Sequence, residues 1–175
     1  MVAFDNTILS LLLFPDADLQ QGPGGATVEF AQERVVGLVQ ELEKAKEQIV
    51  VPTPALAELL VADGLDVQSV LAKLRASAYI RVEGFDERAA VELAARLREA
   101  RHRGSMKEGL PITKTAMKFD RQIVAIALVS GARVLYSDDA GVARFAVGCG
   151  LEVKAVVDLA VPVKQGELGF EDGRD

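Results

Sequence analysis

The sequence contains one cysteine, one histidine and no tryptophan. A single thiol, Cys149, excludes an internal disulfide and any cysteine-rich zinc site, and it suits a reducing cytoplasm. A single imidazole, His102, rules out a multi-histidine metal centre and leaves any Ser-His-Asp or Cys-His apparatus to run through one residue. We read His102 as a surface residue and Cys149, between Gly148 and Gly150, as a small packed side chain. No apolar run approaches the length of a membrane span. The opening stretch MVAFDNTILSLLLF is apolar, but no positive segment precedes it and Asp5 lies inside it, which is not the pattern of a signal peptide. Positive charge is in short supply as well: the net charge of −6 argues against a general nucleic-acid binder.

What is present is apolar and periodic. Half of the 175 residues are hydrophobic, enough to bury most of the apolar surface of one domain. MVAFD reads as a short buried strand, NTILSLLLF as a helix that Pro15 stops, and 15–25 as a Gly- and Pro-containing loop. Apolar residues at helical spacing predict a long amphipathic helix over 28–47. A strand QIVVP (48–52) follows, then a helix capped by Thr53 with Pro54 in its first turn. Further on come a helix over 66–77, a strand over 79–85 and a helix over 86–103. A loop over 104–115 leads to a helix over 118–131 closed by Gly131. The strand ARVLYSDD, a short helix from Ala140 and the strand LEVKAV complete the pattern. Strands alternating with helices predict an α/β domain over 1–161 whose parallel sheet is covered on both faces, with 162–175 as a flexible tail.

Against this pattern the acids stand out. Asp5 closes the first strand, Asp139 follows the strand 132–137, and Asp120 heads the helix leading into that strand. Glu58 falls on the apolar stripe of its helix, where nothing nearby can pair with a carboxylate. Asp5, Glu58 and Asp139 meet at one sheet edge if the first strand lies between the second and the fourth, and Asp120 joins them if its helix starts on the same side. Carboxylates gathered without His or Cys suit Mg²⁺ or Mn²⁺, and such ions promote hydrolysis of phosphodiesters. Local alternatives stay open. Asp5 and Asp120 are equally readable as helix caps, Asp138 and Asp139 as a strand-to-helix turn, and Glu58 as a solvated gap in its stripe.

The stretches VAFDNTILSLLL, VVPTPALAELL, KFDRQIVAIAL and VLYSDDAGVARFA…GLEV resemble, in order, the PIN-domain ribonucleases, and especially the VapC-type toxins of toxin–antitoxin pairs. The resemblance spans residues 2–157. It implies a three-layer α/β/α sandwich with a central parallel sheet, and an acidic Mg²⁺ or Mn²⁺ site that cuts RNA. By position, Asp5, Glu58, Asp120 and Asp139 match the family's catalytic and metal-binding acids, and Ser137 stands in the threonine place of its Thr-x-Asp. The family often carries one more acid where this chain has Gly141, and Asp138 is the residue that could compensate. The resemblance further implies a cognate antitoxin and a homodimer.

Residues 96–121 hold eight Lys and Arg against three acids, a net +5 running straight into Asp120. Arg101, Arg103, Lys107, Lys118 and Arg121 are thereby candidate RNA contacts, with solvation of a helix face as the plainer account. Aromatic platforms for stacking single-stranded RNA are not visible in the sequence. Two other functions compete with the ribonuclease. One is a non-catalytic scaffold that only binds RNA or protein. The other is a haloacid-dehalogenase-like phosphatase, whose nucleophile motif needs a second Asp where this chain has Thr7.

Overall fold

The computed structural model describes residues 1–14, 27–62, 65–102 and 116–161. The expected loops over 15–25 and 104–115 and the tail 162–175 therefore lie, wholly or nearly so, outside the described residues. The elements run β1 (Val2–Phe4), α1 (Asn6–Leu13), α2 (Ala31–Lys44), β2 (Ile49–Pro52), α3 (Thr53–Leu60), α4 (Val67–Ala76), β3 (Ile80–Glu83) and α5 (Glu87–His102). They continue with α6 (Ala116–Val129), β4 (Val134–Tyr136), α7 (Ala140–Gly148), β5 (Glu152–Lys154) and a 3₁₀ turn, Val156–Asp158.

The five strands form one parallel sheet in the order β3-β2-β1-β4-β5. Every residue of β1 and β2 is buried, as expected of central strands covered on both faces. Parallel crossovers are right-handed, so the helices linking β1 to β2 to β3 cover one face and those linking β3 to β4 to β5 the other. Phe4, Ile8, Leu9, Ile49, Ile123, Ile126 and Leu135 fill the core between these layers. The rings of Phe4 and Tyr136 meet edge to face at 5.6 Å across the β1–β4 seam.

That seam matters most for function. The chain winds outward from β1 to β3, returns to set β4 beside β1, and then winds the other way. The strand order reverses between β1 and β4, and the crevice outside the carboxyl ends of those strands is where open α/β sheets bind ligands. Asp5 follows β1 directly, and Ser137 follows β4 directly.

Several helix boundaries differ from expectation for local reasons. α2 starts at Ala31 rather than 28 because Phe30 is left-handed (φ 57°), and it ends at Lys44 because Lys46 is left-handed too (φ 54°). β2 runs into α3 with no intervening residue, so Thr53 is already helical and Pro52 occupies the cap position with no side-chain cap bond. α6 begins two residues earlier than expected, at Ala116, so Asp120 lies inside the helix and does not cap it. Gly131 closes α6 as expected. At φ 79° its N–H bonds Leu128 O while the N–H of Ala132 bonds Ala127 O, a Schellman arrangement that glycine accepts without steric cost.

Candidate active site

Asp5 is the buried anchor of the site. Its backbone N–H reaches Tyr136 O across the seam at 3.2 Å, and its side chain caps α1. Oδ1 accepts the N–H of Thr7 at 3.0 Å and that of Ile8 at 3.5 Å, while Oδ2 accepts the hydroxyl of Ser137. The capping reading of Asp5 therefore holds, and the same carboxylate also reaches Ser137 at the end of β4. With only 3% of its surface exposed, Asp5 has its pKa pushed up to about 7 by burial. The bonds from Ser137, Ile8 and Thr7 oppose that rise, and the nearby charge of Asp138 adds to it.

Ser137 joins the two halves of the fold. Its hydroxyl donates to Asp5 and accepts the N–H of Asp139 at 3.1 Å. Asp139 in turn caps α7, accepting the N–H of Val142 on Oδ1 at 2.7 Å. Asp138 turns elsewhere: Oδ1 accepts the N–H of Val156 at 2.7 Å, and Oδ2 is buried with no hydrogen-bond partner among the described residues. Burial raises the Asp138 pKa, the Val156 bond lowers it, and Asp158 raises it further.

Glu58 and Asp120 approach Asp139 from two other helices, α3 and α6, which pack together. Burial first, then Asp139 and Glu58, push the Asp120 carboxyl up to about 6, with its own backbone and Arg121 pulling back. Glu58 is raised by desolvation and then by Asp139. As a whole residue Glu58 is solvent-exposed, unlike Pro54, Ala55, Leu56 and Leu59. Its carboxyl is crowded on the protein side only, so water screens much of the repulsion. Of the alternatives the sequence leaves open, the stripe does open to solvent at Glu58, and the neighbouring charge acting on its carboxyl is that of Asp139.

A divalent cation such as Mg²⁺ requires several oxygen ligands around one point. Among the described residues, no three His, Cys, Asp or Glu side chains stand together in positions to hold a metal ion. The donor chemistry nonetheless suits one, since the ligands available are all hard carboxylate oxygens and Asp139 Oδ2 accepts no hydrogen bond among the described residues. Like-charge crowding of Glu58, Asp120 and Asp139 is also what a cation would relieve.

The basic residues fall into three groups. Arg103 and Lys107 lie outside the described residues. Arg101 and His102 are exposed in the last turn of α5, and Lys118 is exposed in the first turn of α6. Arg88, at the start of α5, donates to Val129 O at the end of α6 at 3.0 Å. The two packed helices are therefore antiparallel, and the basic end of α5 comes to the end of α6 that carries Asp120. Arg121 lies over the ring of Phe145 on α7, 5.7 Å from its centroid. Nothing in the sequence marks Phe145, because the two partners sit on different helices with a strand between them. Cys149 is half-buried, in keeping with a packed side chain.

No family description and no curated protein matches this chain. Solved structures do match. A chain of the crystal structure of VapBC2 from Rickettsia felis, bound to a DNA fragment from their promoter, superposes with a TM-score of 0.55 at 16% identity. That match covers 89% of this chain and 98% of the other. A chain of DNA-bound VapBC from Salmonella typhimurium superposes with a TM-score of 0.52 at 15% identity, covering 89% and 99%. The likeness is one of fold, and it agrees with the α/β architecture expected from the sequence.

Proposed function

We propose that this chain is a metal-dependent endoribonuclease, hydrolysing RNA phosphodiester bonds at Asp5, Glu58, Asp120 and Asp139, and that it serves as the toxin of a toxin–antitoxin pair. One observation carries the reading. Asp139 raises the Glu58 pKa, and Asp139 and Glu58 together raise that of Asp120, at the sheet's switch point where Ser137 ties Asp139 to the buried Asp5. A scaffold gains nothing from acids that repel, whereas a site awaiting a cation does. The fold shared with chains of two VapBC complexes supports the same reading.

Asp5, Glu58, Asp120 and Asp139 would hold Mg²⁺ or Mn²⁺. The ion would stabilise charge on the scissile phosphate and lower the pKa of a bound water. The chain's own part is to hold the acids in register, Asp5 and Asp139 through Ser137 and their caps, and to meet RNA with Arg101, Arg103, Lys107, Lys118 and Arg121. Asp138, tied to Val156, serves this site by fixing the turn after β4 rather than as a ligand. An antitoxin, a second copy of the chain and a cytoplasmic setting complete the proposal.

A non-catalytic RNA- or protein-binding scaffold is the second reading. It is favoured by the lack, among the described residues, of three ligands already placed around an ion. Incubating the protein with RNA in Mn²⁺, and in parallel in EDTA, separates the two. The nuclease reading expects cleavage in Mn²⁺ that EDTA abolishes. Equal cleavage in EDTA overturns the metal, and intact RNA in both overturns the enzyme.

A further inference from the structure

Three described arginines are half-buried: Arg34, Arg96 and Arg121. The first two are fully committed. Arg34 donates to the carbonyls of Glu29, Val157 and Leu159, and Arg96 pairs with Glu92 and Glu99. Arg121 makes no hydrogen bond and no ion pair among the described residues, although Asp120 is next to it in the chain. Successive helical residues point about 100° apart, so adjacency does not bring the two side chains together. What holds the Arg121 guanidinium is the face of Phe145.

We infer that Phe145 is a positioning residue that holds Arg121 for a backbone phosphate of the RNA, an inference that rests on the nuclease reading above. A guanidinium drawn to the face of a ring has its rotamers restricted, while its N–H groups are not used by the ring contact. Those groups are the part that grips a phosphate through two parallel hydrogen bonds. α6 carries Asp120 one residue before Arg121, and α7 carries Asp139 at its cap and Phe145 in its body. The same helix pair therefore presents two of the four acids and, near them, a cation that makes no hydrogen bond or ion pair among the described residues. A phosphate held there would flank the bond being cut, and the ring contact would supply part of the ordering of Arg121 before RNA arrives.

The test measures binding of a single-stranded 2′-O-methyl RNA, which resists cleavage, by fluorescence anisotropy in EDTA. Phe145→Leu keeps an apolar side chain of similar bulk and removes the π face. It should raise Kd about three- to tenfold, the loss expected of a cation–π contact. Phe145→Tyr should restore parental affinity. In an Arg121→Gln background, Phe145→Leu should have no further effect, since its whole influence passes through the guanidinium. Parental affinity in Phe145→Leu, or an equal loss with and without Arg121, overturns the positioning role while leaving the nuclease reading intact. No RNA binding by the parental protein overturns both. Melting temperatures of each variant identify a loss that only follows folding, and such a loss also overturns the inference.

Discussion

The hydroxyl of Ser137 donates to Asp5 Oδ2 and accepts the N–H of Asp139, so one side chain joins the end of β1 to the cap of α7. Ser137 is 2% exposed, and water cannot replace it. Ser137→Ala should cost about 1–3 kcal/mol, because it strips a donor from a buried carboxylate and an acceptor from a backbone N–H. Ser137→Thr keeps the hydroxyl and should recover most of that loss. Urea midpoints measure both. A Ser137→Ala protein as stable as the parent would contradict the brace.

Asp120 links stability to pH. Its folded pKa of about 6 stands above the ordinary 3.8, so the folded chain keeps this proton after the unfolded chain has released it. Stability contributed by the protonated form is therefore lost as pH rises from about 4 to 6, and the contribution is level above that. Asp5, raised to about 7, acts with the same sign over a slightly wider window. In metal-free buffer, the stability of Asp120→Asn relative to the parent should increase over pH 4–6 and then flatten. A difference independent of pH would remove the repulsion argument.

Much of this arrangement was readable in the sequence. One apolar triplet followed at once by Asp5, and another followed by Ser137, Asp138 and Asp139, identify the strands that lead to these acids, and strict strand–helix alternation requires a parallel sheet. The central position of β1 between β2 and β4 entered only as a condition, because strand order depends on packing that one chain's periodicity does not encode. Thr53 looked like a cap, yet β2 runs directly into α3 and leaves it no cap position. Asp120 looked like the head of a helix that in fact starts at Ala116. The exposure of Glu58 stood only as an open alternative, because helical spacing gives a residue's direction but not where a neighbouring helix ends. The contact between Arg121 and Phe145 joins two helices with no shared period, and so left no sequence signal.

Asp138 separates a structural tie from a ligand. Asp138→Ala removes the acceptor for the N–H of Val156. Amide hydrogen exchange at Val156 should accelerate, while RNA cleavage falls far less than in Asp139→Ala. Equal loss of cleavage in the two variants, with exchange at Val156 unchanged, would assign Asp138 to the metal.

The basic face is tested by salt. Replacing Arg101, Lys118 and Arg121 with Ser should lower the slope of log K against log salt by up to about 2, at roughly 0.7 per lost phosphate contact with single-stranded RNA. An unchanged slope would return these residues to solvation of the helix surface.

The most direct measurement is the melting of Glu58→Gln with and without Mn²⁺. The substitution keeps the shape of the side chain and removes one of the repelling charges. Without metal the variant should melt at the parental temperature or above it, because Glu58 faces Asp139 and Asp120 rather than a cation. A ligand that binds the native state at a hundred times its Kd stabilises by about 2.7 kcal/mol. Mn²⁺ should therefore raise the melting temperature of the parent clearly and that of Glu58→Gln little or not at all. A metal-free variant clearly less stable than the parent, with the Mn²⁺ shift intact, would contradict the account.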